Sequence, residues 1–218
     1  MNGFDQLRQR LIAENCASYS SIKYQDDVLR FIVENADKGG DIIEVGCYKG
    51  GMTAQLAVMA NKFHRRFYVV DTSMAWRDHT EKLLERLGVL GPTIFFHIGR
   101  LISLVTSPTF LIILDADHRY DAVMADIAAI KKIQPYAVAF HDFSLRHVSD
   151  VYGVDRAIYD SFGPEVELVK IGNTTDKLNS PKVPYRPSEQ EPHPDNGWYW
   201  EENGVEGVIL TMPEGARG

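Results

Sequence analysis

Two apolar runs in this chain end in residues that bind cations or move protons. Leu114-Asp-Ala-Asp-His-Arg-Tyr120 closes one run and Phe140-His-Asp142 closes the next. Carboxylates and imidazoles gathered at one point would repel or protonate one another unless a cation offsets them. An acid also ends Asp41-Ile-Ile-Glu44, directly before the glycine turn Gly46-Cys-Tyr-Lys-Gly-Gly51, and Asp71 ends Phe67-Tyr-Val-Val-Asp71. A glycine turn opening a helix lets backbone N–H groups face a ligand without side chains in the way. An acid one crossover later is suited to ribose hydroxyls. Together these features imply a nucleoside-bearing cofactor.

The elements that must position these residues alternate. Strands are expected near Ile42–Val45, Arg66–Val70, Thr93–His97, Phe110–Leu114 and Ala137–His141, with helices near 51–62, 76–87, 101–106 and 120–132. Leu111-Ile-Ile-Leu114 is apolar on both faces, as in a parallel sheet covered by helices on each side. Short connections between five such strands predict a doubly wound α/β sheet. A helix over Val151–Phe162 and final strands over Glu165–Ile171 and Gly204–Met212 complete it. The fourth and fifth strands are neighbours about 5 Å apart in such a sheet. Asp115, Asp117, His118, His141 and Asp142 should therefore meet in the crevice at their carboxyl ends.

Before the first strand, Phe4, Leu7, Leu11 and Ile12 have helical spacing, and Asp26–Asp37 forms a second helix closed by Lys38-Gly-Gly40. The first apolar stripe packs on the core, covers the site or meets a second subunit. After the sixth strand, Asn173–Trp200 carries five prolines and Trp198-Tyr-Trp200. A long proline-punctuated loop inside a compact domain is usually either functional or poorly ordered, and this one is expected near the active site. Core packing is the expected role of the Trp cluster.

A length of 218 residues and a formal charge of −7 suit one domain over 1–218 and argue against a nucleic-acid surface. Apolar windows are too short for a membrane span, and Met1-Asn-Gly-Phe-Asp5 does not read as a signal peptide. With only Cys16 and Cys47 present, and nothing requiring that they pair, the cytoplasm is the expected compartment.

Two cofactor classes compete for the turn. A dinucleotide fold wants a glycine where Tyr48 stands, and the tyrosine would crowd a pyrophosphate. Acid-x-Gly-x-x-x-Gly instead resembles the first motif of class I S-adenosylmethionine (SAM)-dependent methyltransferases. Oxygen-rich ligands at the second constellation suit Mg²⁺, Ca²⁺ or Mn²⁺, and histidine admits Mn²⁺, Fe²⁺ or Zn²⁺. The alternative is that these residues cap helices or pair with arginines. His193-Pro-Asp195 has the spacing of part of an iron facial triad, but no histidine follows it. His64, His79 and His147 read as surface residues.

Asp115-Ala-Asp-His-Arg-Tyr120, with Asp126 further on, resembles the D-G-D-H-x-Y motif of the methyltransferase group that includes macrocin-type sugar O-methyltransferases and cephalosporin-hydroxylase-like proteins. It is more distantly similar to catechol O-methyltransferase. The resemblance spans about residues 25–170. It implies a Rossmann-like, doubly wound sheet of seven strands, order 3-2-1-4-5-7-6 with the last strand antiparallel. Implied cofactor contacts are Glu44, Gly46, Tyr48, Gly50, Gly51 and Thr53, then Asp71, Thr72 and Ser73, with Arg100 and Asp115. Asp115, His141 and Asp142 would hold Mg²⁺ or Mn²⁺, and Asp117, His118 or His141 would serve as the proton acceptor. Ala116 replaces the usual glycine, and His141 stands where many relatives have an acid. The implied activity is methyl transfer from SAM to a hydroxyl of a small molecule, a sugar or natural product. The open alternatives are other chemistry of the hydroxylase-like relatives and a non-catalytic nucleoside binder. Oligomeric state stays open, with the N-terminal stripe as a dimer surface.

Overall fold

The computed structural model describes residues 2–104, 108–149, 153–174, 197–200 and 204–213. Two helices precede the sheet: α1 (Asn2–Ala13) and α2 (Ile22–Glu34). α1 carries Phe4, Leu7, Leu11 and Ile12 as expected, and Asn15, at φ 54°, lies in the turn that follows it. The hydroxyl of Ser21 accepts from the Tyr24 N–H and caps α2, which starts four residues earlier than expected.

Strands and helices then alternate as β1 (Asp41–Val45), α3 (Gly51–Lys62), β2 (Phe67–Asp71), α4 (Met74–Leu87), β3 (Ile94–Ile98), β4 (Thr109–Leu114), α5 (Tyr120–Ile133) and β5 (Ala137–His141). There follow β6 (Leu145–His147), α6 (Val154–Phe162), β7 (Val169–Ile171), β8 (Trp198–Trp200) and β9 (Gly207–Thr211). The central sheet runs β3-β2-β1-β4-β5-β9-β7. Counted within the sheet alone this is 3-2-1-4-5-7-6, as expected, and β9 is antiparallel to both neighbours. The short ribbon β6–β8 lies outside the sequence expectation.

Side chains on opposite sides of each strand feed different cores. Ile42, Leu111 and Ile113 pack with α1–α4, while Ile43, Ile112 and Leu114 pack with α5 and α6. This explains why β4 is apolar throughout. The N-terminal stripe packs on the core: Leu7 and Leu11 are buried there.

One expected helix is corrected. Residues 101–103 form a single 3₁₀ turn, Leu104 lies outside it, and 105–107 are outside the described residues. The Ser103 hydroxyl donates to the Arg100 carbonyl at 2.7 Å, a local bond that competes with helix propagation. The last two sheet strands are also shorter than expected, at Val169–Ile171 and Gly207–Thr211. The expected 173–200 loop and His193 fall mostly outside the described residues.

Candidate active site

β1 and β4 converge so tightly that Gly46 touches the next strand end. A Cβ at Gly46, which has φ +90°, would sit 2.0 Å from the Asp115 carbonyl oxygen. This glycine is therefore demanded by backbone packing as well as by ligand access. Gly50, at φ +80°, is the N-cap of α3. A Cβ at Gly51 would lie 2.3 Å from the Ser18 nitrogen, so the segment after α1 lies directly on the first turn of α3.

Two cavities open at the carboxyl ends of the strands. One, of about 360 Å³, is lined by Tyr19, Glu44, Lys49, Asp115, His118 and Asp142 among others. The second, of about 380 Å³, is lined by Asp71, Thr72, Trp76, Arg100, Asp117 and Asp126 among others. Gly46, Tyr48, Asp115 and Ala116 line both, so the two are contiguous around the turn. Each is of a size that small ligands fill.

At the second cavity, both Asp71 oxygens are oriented by the backbone. Oδ1 accepts from the Ser73 N–H at 2.7 Å and Oδ2 from the Cys47 N–H at 3.1 Å. Ser73 also caps α4 by accepting from the Trp76 N–H. Of the expected cofactor contacts, Gly50, Thr53 and Ser73 line neither cavity. Burial pushes Asp126 up to about 6, with Arg100 opposing that shift.

Glu44 is buried at the wall of the first cavity, and its Oε2 has no hydrogen-bond partner among the described residues. Burial pushes it up to about 8, the Thr53 hydroxyl opposing and the Asp115 and Asp71 carboxylates reinforcing the shift. The Tyr24 hydroxyl is also buried without a partner, and its ring packs edge-on against His141 at 4.6 Å.

His141 is enclosed by carboxylates. Nδ1 lies 2.9 Å from Asp115 Oδ1 and 3.1 Å from Asp142 Oδ2, and Nε2 lies 3.3 Å from Glu206 Oε1. Burial alone would lower its pKa, but Asp115 and Asp142 outweigh that and hold it well above 6.5. Both ring nitrogens thus face carboxylates within the protein. Among the described residues, ligand atoms of Asp115, His118 and Asp142 converge within 4.8 Å of one another. This set shares Asp115 and Asp142 with the expected one and brings His118 to them. The Asp142 backbone at φ 53° departs from the strand and aims its carboxylate at both histidines.

Asp117 lines the second cavity and is not one of these converging ligands. Arg119 donates to both its oxygens from Nε, at 2.9 and 3.0 Å, and holds its carboxyl below the usual range. Such an acid is a weak proton acceptor. Glu206 was not among the expected site residues: it directly precedes β9 and belongs to no local motif, and its partners Ser21, His141 and Asn173 are remote in the chain. Trp200 lines the first cavity and is also buried, while the Trp198 ring meets His118 edge-on at 5.8 Å. His79 and His147 have partners after all: Cys16 Sγ at 3.4 Å and Ser149 Oγ at 2.6 Å.

No protein-family profile and no curated protein matches the chain. Solved structures do. Cofactor-bound Rv0187 from MTB aligns over 94% of this chain and 88% of its own, with 16% identity and a TM-score of 0.58. Magnesium protoporphyrin IX methyltransferase from Synechocystis PCC 6803 with bound SAM aligns over 87% and 78%, with 11% identity and a TM-score of 0.54. The chain spans only about half of some others: the SAH-bound methyltransferase PaMTH1 from Podospora anserina aligns over 55% of this chain and 52% of its own, with 15% identity and a TM-score of 0.47. At these identities the likeness establishes the fold alone: the chain shares the Rossmann-like α/β architecture of these structures.

Proposed function

We propose that this protein is a SAM-dependent methyltransferase that methylates a hydroxyl oxygen of a small molecule with the help of a divalent cation. The observation that carries the reading is the shared wall of the two cavities, where Gly46 and Asp115 join the ribose-suited Asp71 to the Asp115–His118–Asp142 trio.

The residues present fit SAM. Asp71 lines the second cavity with its carboxylate fixed by two backbone N–H groups, which suits a diol, and the Oε2 of Glu44 suits an ammonium group. SAM supplies an electrophilic methyl group, whose transfer to oxygen forms the C–O bond as the S–C bond breaks and leaves S-adenosylhomocysteine (SAH). The chain's contribution is to place the two reactants in line and to exclude water. Trp200, Leu145 and Met52 give the first cavity its apolar wall.

Two carboxylates and one imidazole also fit Mn²⁺, Fe²⁺ or Zn²⁺, and Mg²⁺ less well. Asp115, His118 and Asp142 would hold the cation, which would lower the pKa of the acceptor hydroxyl. His141 would orient both carboxylates from behind, as outer partners of metal ligands do. A second reading keeps the site metal-free. His118 Nε2 lies 3.3 Å from Asp142 Oδ2, the arrangement of a base oriented by an acid, and His118 would then take the acceptor's proton.

Calorimetry of the protein with SAM, with and without Mg²⁺ or Mn²⁺, tests the proposal. Micromolar SAM binding is the expected result, followed by screening of hydroxylated acceptors with each metal. A folded protein that binds neither SAM nor SAH would overturn it.

A further inference from the structure

The first cavity carries a feature that neither a nucleoside nor a cation accounts for. Its floor is acidic, with Asp115 and Asp142 beside Glu44. The glycine turn nevertheless places Lys49 in the wall of the same cavity. Among the described residues this ammonium makes no ion pair, and it is the one lysine or arginine in that wall. It lies 5.7 Å from the centroid of the Tyr48 ring.

Two phenols stand with it. Tyr19 and Tyr48 line the cavity, pack edge-on with centroids 5.0 Å apart, and bring their hydroxyl oxygens to 3.4 Å. In such a pair one O–H donates to the other oxygen, which leaves the second O–H free to donate outward. The hydrogen bond that Tyr48 shares with Tyr19 pushes Tyr48 up to about 12, so its phenol stays protonated. The turn holds this geometry at a cost. Tyr48 has φ 41°, a conformation unusual for an aromatic residue, and the Thr80 hydroxyl secures it by donating to the Tyr48 carbonyl at 3.1 Å.

We infer that Lys49, Tyr19 and Tyr48 form an anion subsite that binds a carboxylate of a ligand in the first cavity. The inference rests on the reading of this cavity as the methyl-transfer site. The carboxylate has two sources there: the amino-acid end of the cofactor, or an acceptor that is a hydroxy acid. In the second case the acceptor spans the cavity, with its anion at Lys49 and its hydroxyl at the acidic floor. An ammonium paired with a carboxylate while a phenol donates a further bond gives strong, directional recognition.

The test is calorimetry on the intact chain with two matched pairs of probes. One pair is SAH and its decarboxylated analogue. The other, added to SAH-loaded protein, is 3,4-dihydroxybenzoate and its methyl ester. Each is measured for the wild type, Lys49→Met, Lys49→Arg and Tyr19→Phe, with thermal melts to confirm folding. We expect the acid member of one pair to bind at least about 10-fold tighter, as loss of a charge-assisted bond predicts. Lys49→Met should erase that preference and Lys49→Arg should restore most of it. Preference confined to the SAH pair assigns the carboxylate to the cofactor, and preference in the benzoate pair assigns it to the acceptor. The inference is overturned if neither pair shows the preference or if Lys49→Met leaves it intact. Failure of SAH to bind the wild type at all would instead strike at the methyltransferase reading.

Discussion

His141 and Glu206 face one another across the β5–β9 pair, with His141 Nε2 3.3 Å from Glu206 Oε1 and both side chains buried. Glu206 also accepts from the Ser21 N–H at 2.7 Å, from the Ser21 hydroxyl, and from the Asn173 N–H at 2.6 Å. One carboxylate thus ties the start of α2 and the end of β7 to the histidine behind Asp115 and Asp142. Glu206→Ala strands a cationic ring and two backbone donors. We expect a loss of about 3–5 kcal/mol in urea denaturation, the range for breaking a buried ion pair. Glu206→Gln, which keeps an acceptor, should lose less.

Glu44 gives the fold a pH dependence of definite sign. Its folded pKa, about 8, exceeds its value of 4.5 in the unfolded chain, so the native state binds the extra proton. Stability from this group is full below pH 4.5 and falls as pH rises through about 8. Glu44→Gln has no charge to desolvate. At pH 9 it should be more stable than the wild type by on the order of a few kcal/mol, while SAH binding weakens. Paired urea titrations at pH 6 and pH 9 check the first part, and calorimetry the second.

The roles of the two histidines separate in a metal titration. With His118 as a ligand, His118→Ala should lower Mn²⁺ affinity by at least about 10-fold, read from the free-Mn²⁺ signal in electron paramagnetic resonance. Unchanged affinity in His118→Ala, with Mn²⁺ still bound, would favour His118 as the base.

Asp71 and Asp142 sit at different cavities and should fail differently. Asp71→Ala is expected to weaken SAH binding by about 10–100-fold, through loss of charge-assisted bonds. Asp142→Ala should leave SAH affinity within about 3-fold and abolish transfer. Equal loss of SAH affinity in the two variants would contradict this division.

Gly51 reports on the N-terminal segment. Its missing Cβ admits the backbone of residues 16–18, which carries Tyr19 into the cavity wall. Gly51→Ala should displace that segment, which limited proteolysis would detect as new cleavage near residue 17.

The sequence by itself determined the alternation of strands and helices, because apolar runs of strand length and helical periodicity are local properties. It also determined that Glu44, Asp71, Asp115 and Asp142 end strands, since an acid closing an apolar run marks the edge of the core. Tertiary structure decided the rest. His118 and His141 are equivalent in sequence, each adjacent to an acid. Both line the first cavity, but only the packing of β5 against β4 and β9 encloses His141 among three carboxylates, while His118 meets Asp142. Asp117 looked like a base until Arg119, two residues away, folded onto it. Glu206 carries no local signal, because its partners are 33, 65 and 185 residues distant. Spacing reports what a residue can be; burial and side-chain packing fix its charge, and for His141 and Glu206 those come from contacts remote in the chain.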